Sequence, residues 1–329
     1  MNRLFLRAAA LSGAIVLAAA GRASANCGAE GCPLSPGGLE GAGHRWTLDV
    51  GYTYASQDVL WDGSGKATEA EPGHVTELFT KTSSYTLNGR ARVMPSLVLT
   101  GSLPYIQRKH AHEAEHHPGF FVTSEWQYEG LGDAMAMANW QAFGTPEYGI
   151  GAFSIQAGVK LPTGVTEVPE VDGEQPEPPA RPGTGSTDGL AGLGLVRNLM
   201  LAAPGGRSTT MPLVLTAMGR WNGEGTEGYR VGDELHVSLS TAYSVLPRLS
   251  VLAQMNFLSH GKDDVGNTDA EPHHTGGQSV FATPGLRAVL PGGAALYGYW
   301  QLRIYEHTNG PQLVAPDHLI FGASFGLGN

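Results

Sequence analysis

The chain is short of most of what builds a helical membrane protein or a metal-held domain. Only two of its 329 residues are cysteine, Cys27 and Cys32, and only 15% are charged. Beyond the N-terminal segment no apolar run reaches the roughly 20 residues that a spanning helix needs, and the mean hydropathy of -0.13 is too polar for a bundle of such helices. A zinc ribbon would need a second cysteine pair, and a c-type haem site would need Cys-x-x-Cys-His; neither is present. Basic residues are scarce, 20 against 30 acidic ones, for a formal charge of -10. So acidic a chain is a poor partner for nucleic acid. No Gly-x-Ser-x-Gly elbow or other short motif singles out a nucleophilic serine, so the chain is not expected to be an enzyme.

The N-terminus carries an address. Arg3 and Arg7 form a basic start, Ala8 to Ala20 is apolar, and Ala23-Ser24-Ala25 is a small-residue cleavage site. Together they read as a secretory signal peptide over residues 1–25. Residues 26–43 then form a Gly-rich, Cys-containing segment. In an oxidising compartment Cys27 and Cys32 are expected to form a local disulfide. Asn26 is too large for the position before a lipidated cysteine, which argues against a lipid anchor at Cys27.

From residue 44 the pattern is one of strands. In Phe153-Ser-Ile-Gln-Ala-Gly-Val-Lys-Leu161 the odd positions are apolar and the even ones polar or small, which gives a strand with one oily and one wet face. About twelve segments repeat this alternation. The connections between them alternate too: tight near Pro95, Pro146, Pro204, Pro247 and Pro291, long near Gly63, His112, Pro176, Gly223, His273 and Gly310. Short turns at one end, long loops at the other and an even strand number are the order of a transmembrane antiparallel up-and-down β-barrel, all-β, spanning residues 44–329. One segment, Val122 to Phe143, is read as a single strand whose Tyr128 and Trp140 mark the two aromatic girdles. A final alternating strand ends at Asn329, the kind of signal that barrel-assembly machinery reads. The expected surroundings are outer-membrane lipid and a small-molecule solute.

Four motifs add a resemblance: Ser102-Leu-Pro-Tyr105, Gly130-Leu-Gly-Asp133, Gly158-Val-Lys-Leu-Pro-Thr-Gly164 and Pro182-Gly-Thr-Gly-Ser-Thr-Asp188. In this order and spacing the chain resembles the phenol meta-pathway degradation family of outer-membrane transporters. The resemblance implies a barrel related to channels for hydrophobic or aromatic compounds.

Strand parity points Arg90, Arg92, Lys160, Arg220, Arg287 and Arg303 into the lumen, against Asp49 and Asp133, so that the interior reads as more basic than the chain. Charges so placed tune which solutes pass, or pair across the lumen and fill it. Tyr297, Tyr299 and Tyr305 share that inward parity and offer faces for an aromatic acid. The acidic, Pro-rich stretch from Thr163 to Ser186, with Glu167, Glu170, Asp172, Glu174 and Glu177, is expected as a solvated loop at the mouth. A second outer loop holds His110, His112, His116 and His117, whose donors suit a divalent transition metal; no other cofactor is expected. The alternatives to a solute channel are therefore a metal-binding barrel using that His-rich loop and, weaker, an outer-membrane hydrolase.

Overall fold

The structure, a computed structural model, describes residues 44–67, 76–117, 120–171, 175–203, 207–268 and 274–327. The signal peptide, Cys27 and Cys32 lie outside the described residues. In chain order the strands are β1 (Trp46–Gln57), β2 (Val59–Asp62), β3 (Gly65–Lys66), β4 (Thr76–Met94), β5 (Leu97–His117), β6 (Phe120–Leu131), β7 (Met135–Thr145) and β8 (Tyr148–Lys160). They continue with β9 (Asp188–Ala203), β10 (Arg207–Trp221), β11 (Glu234–Leu246), β12 (Leu249–His260), β13 (Gly277–Val289), β14 (Ala294–Thr308), β15 (Gln312–Val314) and β16 (Asp317–Leu327).

Twelve of these close into a ring of antiparallel neighbours: β1, β4, β5, β7 to β14 and β16, with β16 returning to β1. Closure removes the free edges that an open sheet could not hide from lipid. The alternating residues separate as expected. Leu87, Leu103, Ile155, Leu215, Val251 and Phe321 face outward and are exposed, whereas Asp49, Arg90, Gln156, Thr216, Asn256 and Gln301 on the opposite parity are buried. A closed sheet that is oily outside and polar within is a membrane barrel. Trp46, Trp140, Phe143 and Tyr148 crowd the rim with the tight turns, and Tyr52, Tyr85 and Tyr105 lie toward the other rim. The small β15-β2-β3 sheet caps part of the long-loop end.

The segment read as one strand from Val122 to Phe143 is two. β5 pairs with β6 from Tyr105 opposite Leu131 onward and with β7 from Ser102 opposite Met135. Between those pairs β5 spends two residues, Leu103 and Pro104, while the other chain spends three, Gly132 to Ala134. One extra residue reverses parity. Trp126 and Tyr128 therefore point inward, 1% and 6% exposed, while Trp140 points out; the lower girdle assignment stands and the Tyr128 assignment does not. Pro104 sets the place, since it has no N–H to offer and its carbonyl accepts from Gly132 N at 2.8 Å. A second irregularity, in β14, pairs Tyr305 with Val280 and Arg303 with Phe281. Ile304 is the extra residue there, so Tyr305 turns outward and is 46% exposed, not lumenal.

Two expected loops are not loops of the expected kind. The His-rich stretch is strand: β5 runs to His117 and pairs with β6 as a hairpin beyond the lipid belt. The Pro-rich stretch after β8 folds inward. Val168 packs on Trp126 and Tyr128, and Pro178–Ala180 forms a short 3-10 turn whose Ala180 carbonyl accepts from Tyr128 Oη at 2.6 Å.

Candidate functional site: a charge network and two apolar clusters inside the barrel

The motif residues converge. Asp133 sits in the three-residue bulge, Lys160 ends β8, and Thr184, Ser186 and Asp188 close the inward-folded loop. Lys160 Nζ donates to Asp133 Oδ2 at 2.7 Å and to Ser186 Oγ at 3.0 Å, and lies 3.2 Å from Asp188 Oδ2. Asp133 also accepts from the backbone N–H of Gly164 at 2.9 Å and of Thr184 at 3.0 Å. Three glycines let the segments meet: a Cβ on Gly164 would fall 2.7 Å from Gly183 Cα and 2.8 Å from the Gly132 carbonyl carbon. The Gly and Asp positions of the motifs thus hold residues 161–171 and 175–187 of the loop against the wall.

The network continues around the barrel. Arg220 Nη2 donates to Asp188 Oδ2 at 2.7 Å, and its Nη1 reaches Glu234 Oε1 at 3.5 Å. Glu234 in turn meets His236 Nε2 at 2.8 Å. Acid and base alternate from Asp133 through Lys160, Asp188, Arg220 and Glu234, and Asp188 is wholly buried. Arg303 is likewise committed: it pairs with Glu306, donates from Nε to the Ala315 carbonyl at 2.7 Å, and lies 4.7 Å over the Phe281 ring. Of the expected lumen cations, Lys160, Arg220 and Arg303 are engaged by carboxylates. Arg90 and Arg92 share the inner face of β4, and Arg287 stands opposite Tyr297 in register.

Two apolar clusters interrupt this polar lining. Met137, Leu190 and Met218, with Met135 beside them, pack directly below the charge network. Leu252, Tyr297, Tyr299 and Ile320 form the second. Tyr297 crosses to β1 and donates to Asp49 Oδ1 at 3.1 Å, as does Asn88 Nδ2. Its ring lies over Gly322, where a side chain would collide. Sequence reasoning passed over Met135 and Met137 because the inward face was read for charged and aromatic groups alone, although their parity with Asp133 already points them inward. It missed Asp188, Glu234 and Glu306 because nothing local shows which carboxylate a distant cation meets.

The outer loops are latched to one another. Asp263 accepts from Tyr229 Oη at 2.6 Å and from Gly232 N at 2.7 Å, with His260 at 3.2 Å. Burial alone would raise the Asp263 pKa, but these donors hold it below the usual carboxylate range. Burial and the same carboxylate push the Tyr229 hydroxyl well above its ordinary value. Arg181, itself buried, pairs with Glu227 at 2.6 Å and donates to the Pro176 carbonyl at 2.8 Å. The acidic loop is therefore a folded inner segment whose Glu167, Glu170 and Glu177 remain exposed.

The histidines gather on a tryptophan. His110 Nδ1 is 2.8 Å from Thr80 Oγ1, and the rings of His110 and His112 lie 5.6 and 4.6 Å from that of Trp126. The side chains of His116 and His117 are outside the described residues. Among the described residues no group of three or more His, Cys, Asp or Glu is arranged to hold a metal ion.

Similar folds are found among solved structures. An outer-membrane channel from Pseudomonas putida F1 superposes with a TM-score of 0.58 at 12% identity, over 86% of this chain and 96% of that one. The fold is that of an outer-membrane β-barrel. The transport unit of the autotransporter AIDA-I from Escherichia coli gives 0.49 at 12% identity, over 86% and 90% of the two chains. A FadL homologue from Pseudomonas aeruginosa gives 0.44 at 12%, over 94% and 97%. No family model and no curated protein matches the sequence, so the resemblance to the phenol meta-pathway group rests on its motifs.

Proposed function

We propose that this barrel is an outer-membrane channel for small hydrophobic or aromatic compounds. The observation that carries the reading is the inner wall. A water-filled porin lines its bore with polar groups, whereas here Met135, Met137, Leu190 and Met218 make a continuous apolar patch below the charge network. Methionine is flexible and polarizable, and it packs against aromatic edges; a patch of three can reshape around solutes of different outline. The neighbouring polar wall is closely filled, with Gln156, Thr283 and Gln301 at 2%, 1% and 0% exposure, which disfavours hydrated ions relative to small apolar molecules. The similar fold of a Pseudomonas putida outer-membrane channel supports the channel part of this reading.

The test is flux through the purified protein in liposomes, comparing a neutral aromatic hydrocarbon with a benzoate-like acid and with chloride. The hydrocarbon is expected to enter fastest. Replacing Met137 and Met218 with Gln should slow it several-fold while leaving chloride leakage unchanged. Hydrocarbon flux no faster with the wild-type protein than in protein-free liposomes, or unchanged in the double variant, would overturn the proposal.

A further inference from the structure

We infer that the outer rim of β1, β4, β5 and β6 binds a phosphate of the outer-leaflet glycolipid, with Lys81 and Lys109 as its ligands. The inference rests on the outer-membrane orientation proposed above, with the tight turns inside and the long connections outside. The chain has five lysines. Two of them stand directly opposite each other: Lys81 of β4 pairs in register with Lys109 of β5, and both face outward and are exposed. Like charges opposite one another on an antiparallel pair are destabilising. A sheet built with such a pair gains from an anion that bridges it.

The row extends on both sides. Ser56 of β1 is the partner of Lys81, and Gln127 of β6 is the partner of Lys109. Three outward side chains, Lys81, Lys109 and Gln127, thus present hydrogen-bond donors across three adjacent strands, without a carboxylate in the row; Ser56 at its β1 end donates its hydroxyl to Asp58 Oδ2 at 2.9 Å, just beyond the row. The nearest acids are in neighbouring rows. Glu125 is 4.0 Å from Lys109 with both side chains about half exposed, a pair too open to neutralise it. Glu129 is taken by Gln107 Nε2 at 2.8 Å.

The height of the row selects the ligand. Two rows toward the periplasm, Tyr52, Tyr85 and Tyr105 stand in register on the same face, with the Tyr52 and Tyr85 rings 5.1 Å apart. Below them come Val50, Leu87 and Leu103. An aromatic row above an apolar one marks the outer edge of the lipid belt. Four residues of tilted strand put the lysines about 10 Å beyond the tyrosines, at the level of glycolipid headgroups, and lysine stems are long enough to reach down to a phosphate.

Native mass spectrometry of the detergent-solubilised full chain with bisphosphorylated lipid A, and with the same lipid after dephosphorylation, tests this. The wild-type protein is expected to retain the phosphorylated form about tenfold better, in a way that excess inorganic phosphate does not displace. In K81Q/K109Q the roughly tenfold preference should fall to near one. K81R/K109R should keep it, and K66Q/K262Q, which loses the same charge elsewhere, should keep it as well. Equal binding of both lipid forms by the wild type, which needs no variant to fold, would overturn the inference. So would displacement by inorganic phosphate, full retention by K81Q/K109Q, or an equal loss in K66Q/K262Q.

Discussion

Removing the Asp133 carboxylate should unlatch the inner loop without unfolding the barrel. In Asp133→Ala, Lys160 loses its 2.7 Å partner, and the N–H groups of Gly164 and Thr184 lose the acceptor that both share. Breaking a buried ion pair from one side costs about 3–5 kcal/mol. The side chains here are 5% and 6% exposed, so solvent screens little. Lys160 keeps Asp188 at 3.2 Å and Ser186 at 3.0 Å, which places the expected cost at the lower end, about 3 kcal/mol. The twelve-strand ring does not depend on this carboxylate, so the loss should appear as opening of residues 161–187. About 3 kcal/mol corresponds to roughly a hundredfold increase in the open population. Amide hydrogen exchange at Gly164, Gly183 and Thr184 is the assay, read against strand amides in β11 and β12 as an internal reference. Single-channel conductance should rise in parallel as the loop leaves the lumen. Adding Lys160→Met should recover part of the loss, because the stranded ammonium is then gone. Unchanged protection at Gly164 and Thr184 in Asp133→Ala would refute the latch.

Gly164→Ala should weaken the same latch by about 1–3 kcal/mol through backbone collision with Gly183 and Gly132, whereas Gly89→Ala, where a Cβ meets nothing within 4 Å, should be near neutral; thermal melting of the two variants checks the contrast. Acid should release the outer loops. Asp263 has a folded pKa below its ordinary 3.8, so its contribution is complete above that value and is lost as pH falls through the lower folded pKa. Protease nicking between residues 261 and 276 should rise only in that acidic window, and Asp263→Asn should abolish the pH dependence. Arg303→Ser leaves Glu306 buried without its cation and should lower thermal stability by about 3 kcal/mol or more. Reversal potentials across a salt gradient should move little in Arg303→Ser and Arg220→Ser; a clear shift at unchanged stability would return these residues to the role of a selectivity filter.

The alternation of residues such as Phe153 to Leu161, and the tight and long connections that follow one another along the chain, fix a closed twelve-strand barrel without further information, because a lipid-facing strand must place oil on one face at a period of two. The same alternation correctly points Asp49, Arg90, Lys160, Arg220 and Tyr297 inward. It fails wherever one residue is inserted, at Gly132 to Ala134 and at Ile304, since a single extra residue reverses every side chain beyond it and the cause, Pro104 in the first case, lies on another strand. Hence Trp126, Tyr128 and Tyr305 change face. Pairing is also decided only in three dimensions. Asp133, Lys160 and Asp188 are separated by 27 and 28 positions in the chain, and strand parity reads Asp133 and Lys160 as lumen charge while Asp188 shows only as the end of a motif; the sheet register brings the three within hydrogen-bond reach, and that proximity makes them the latch that holds an inner loop.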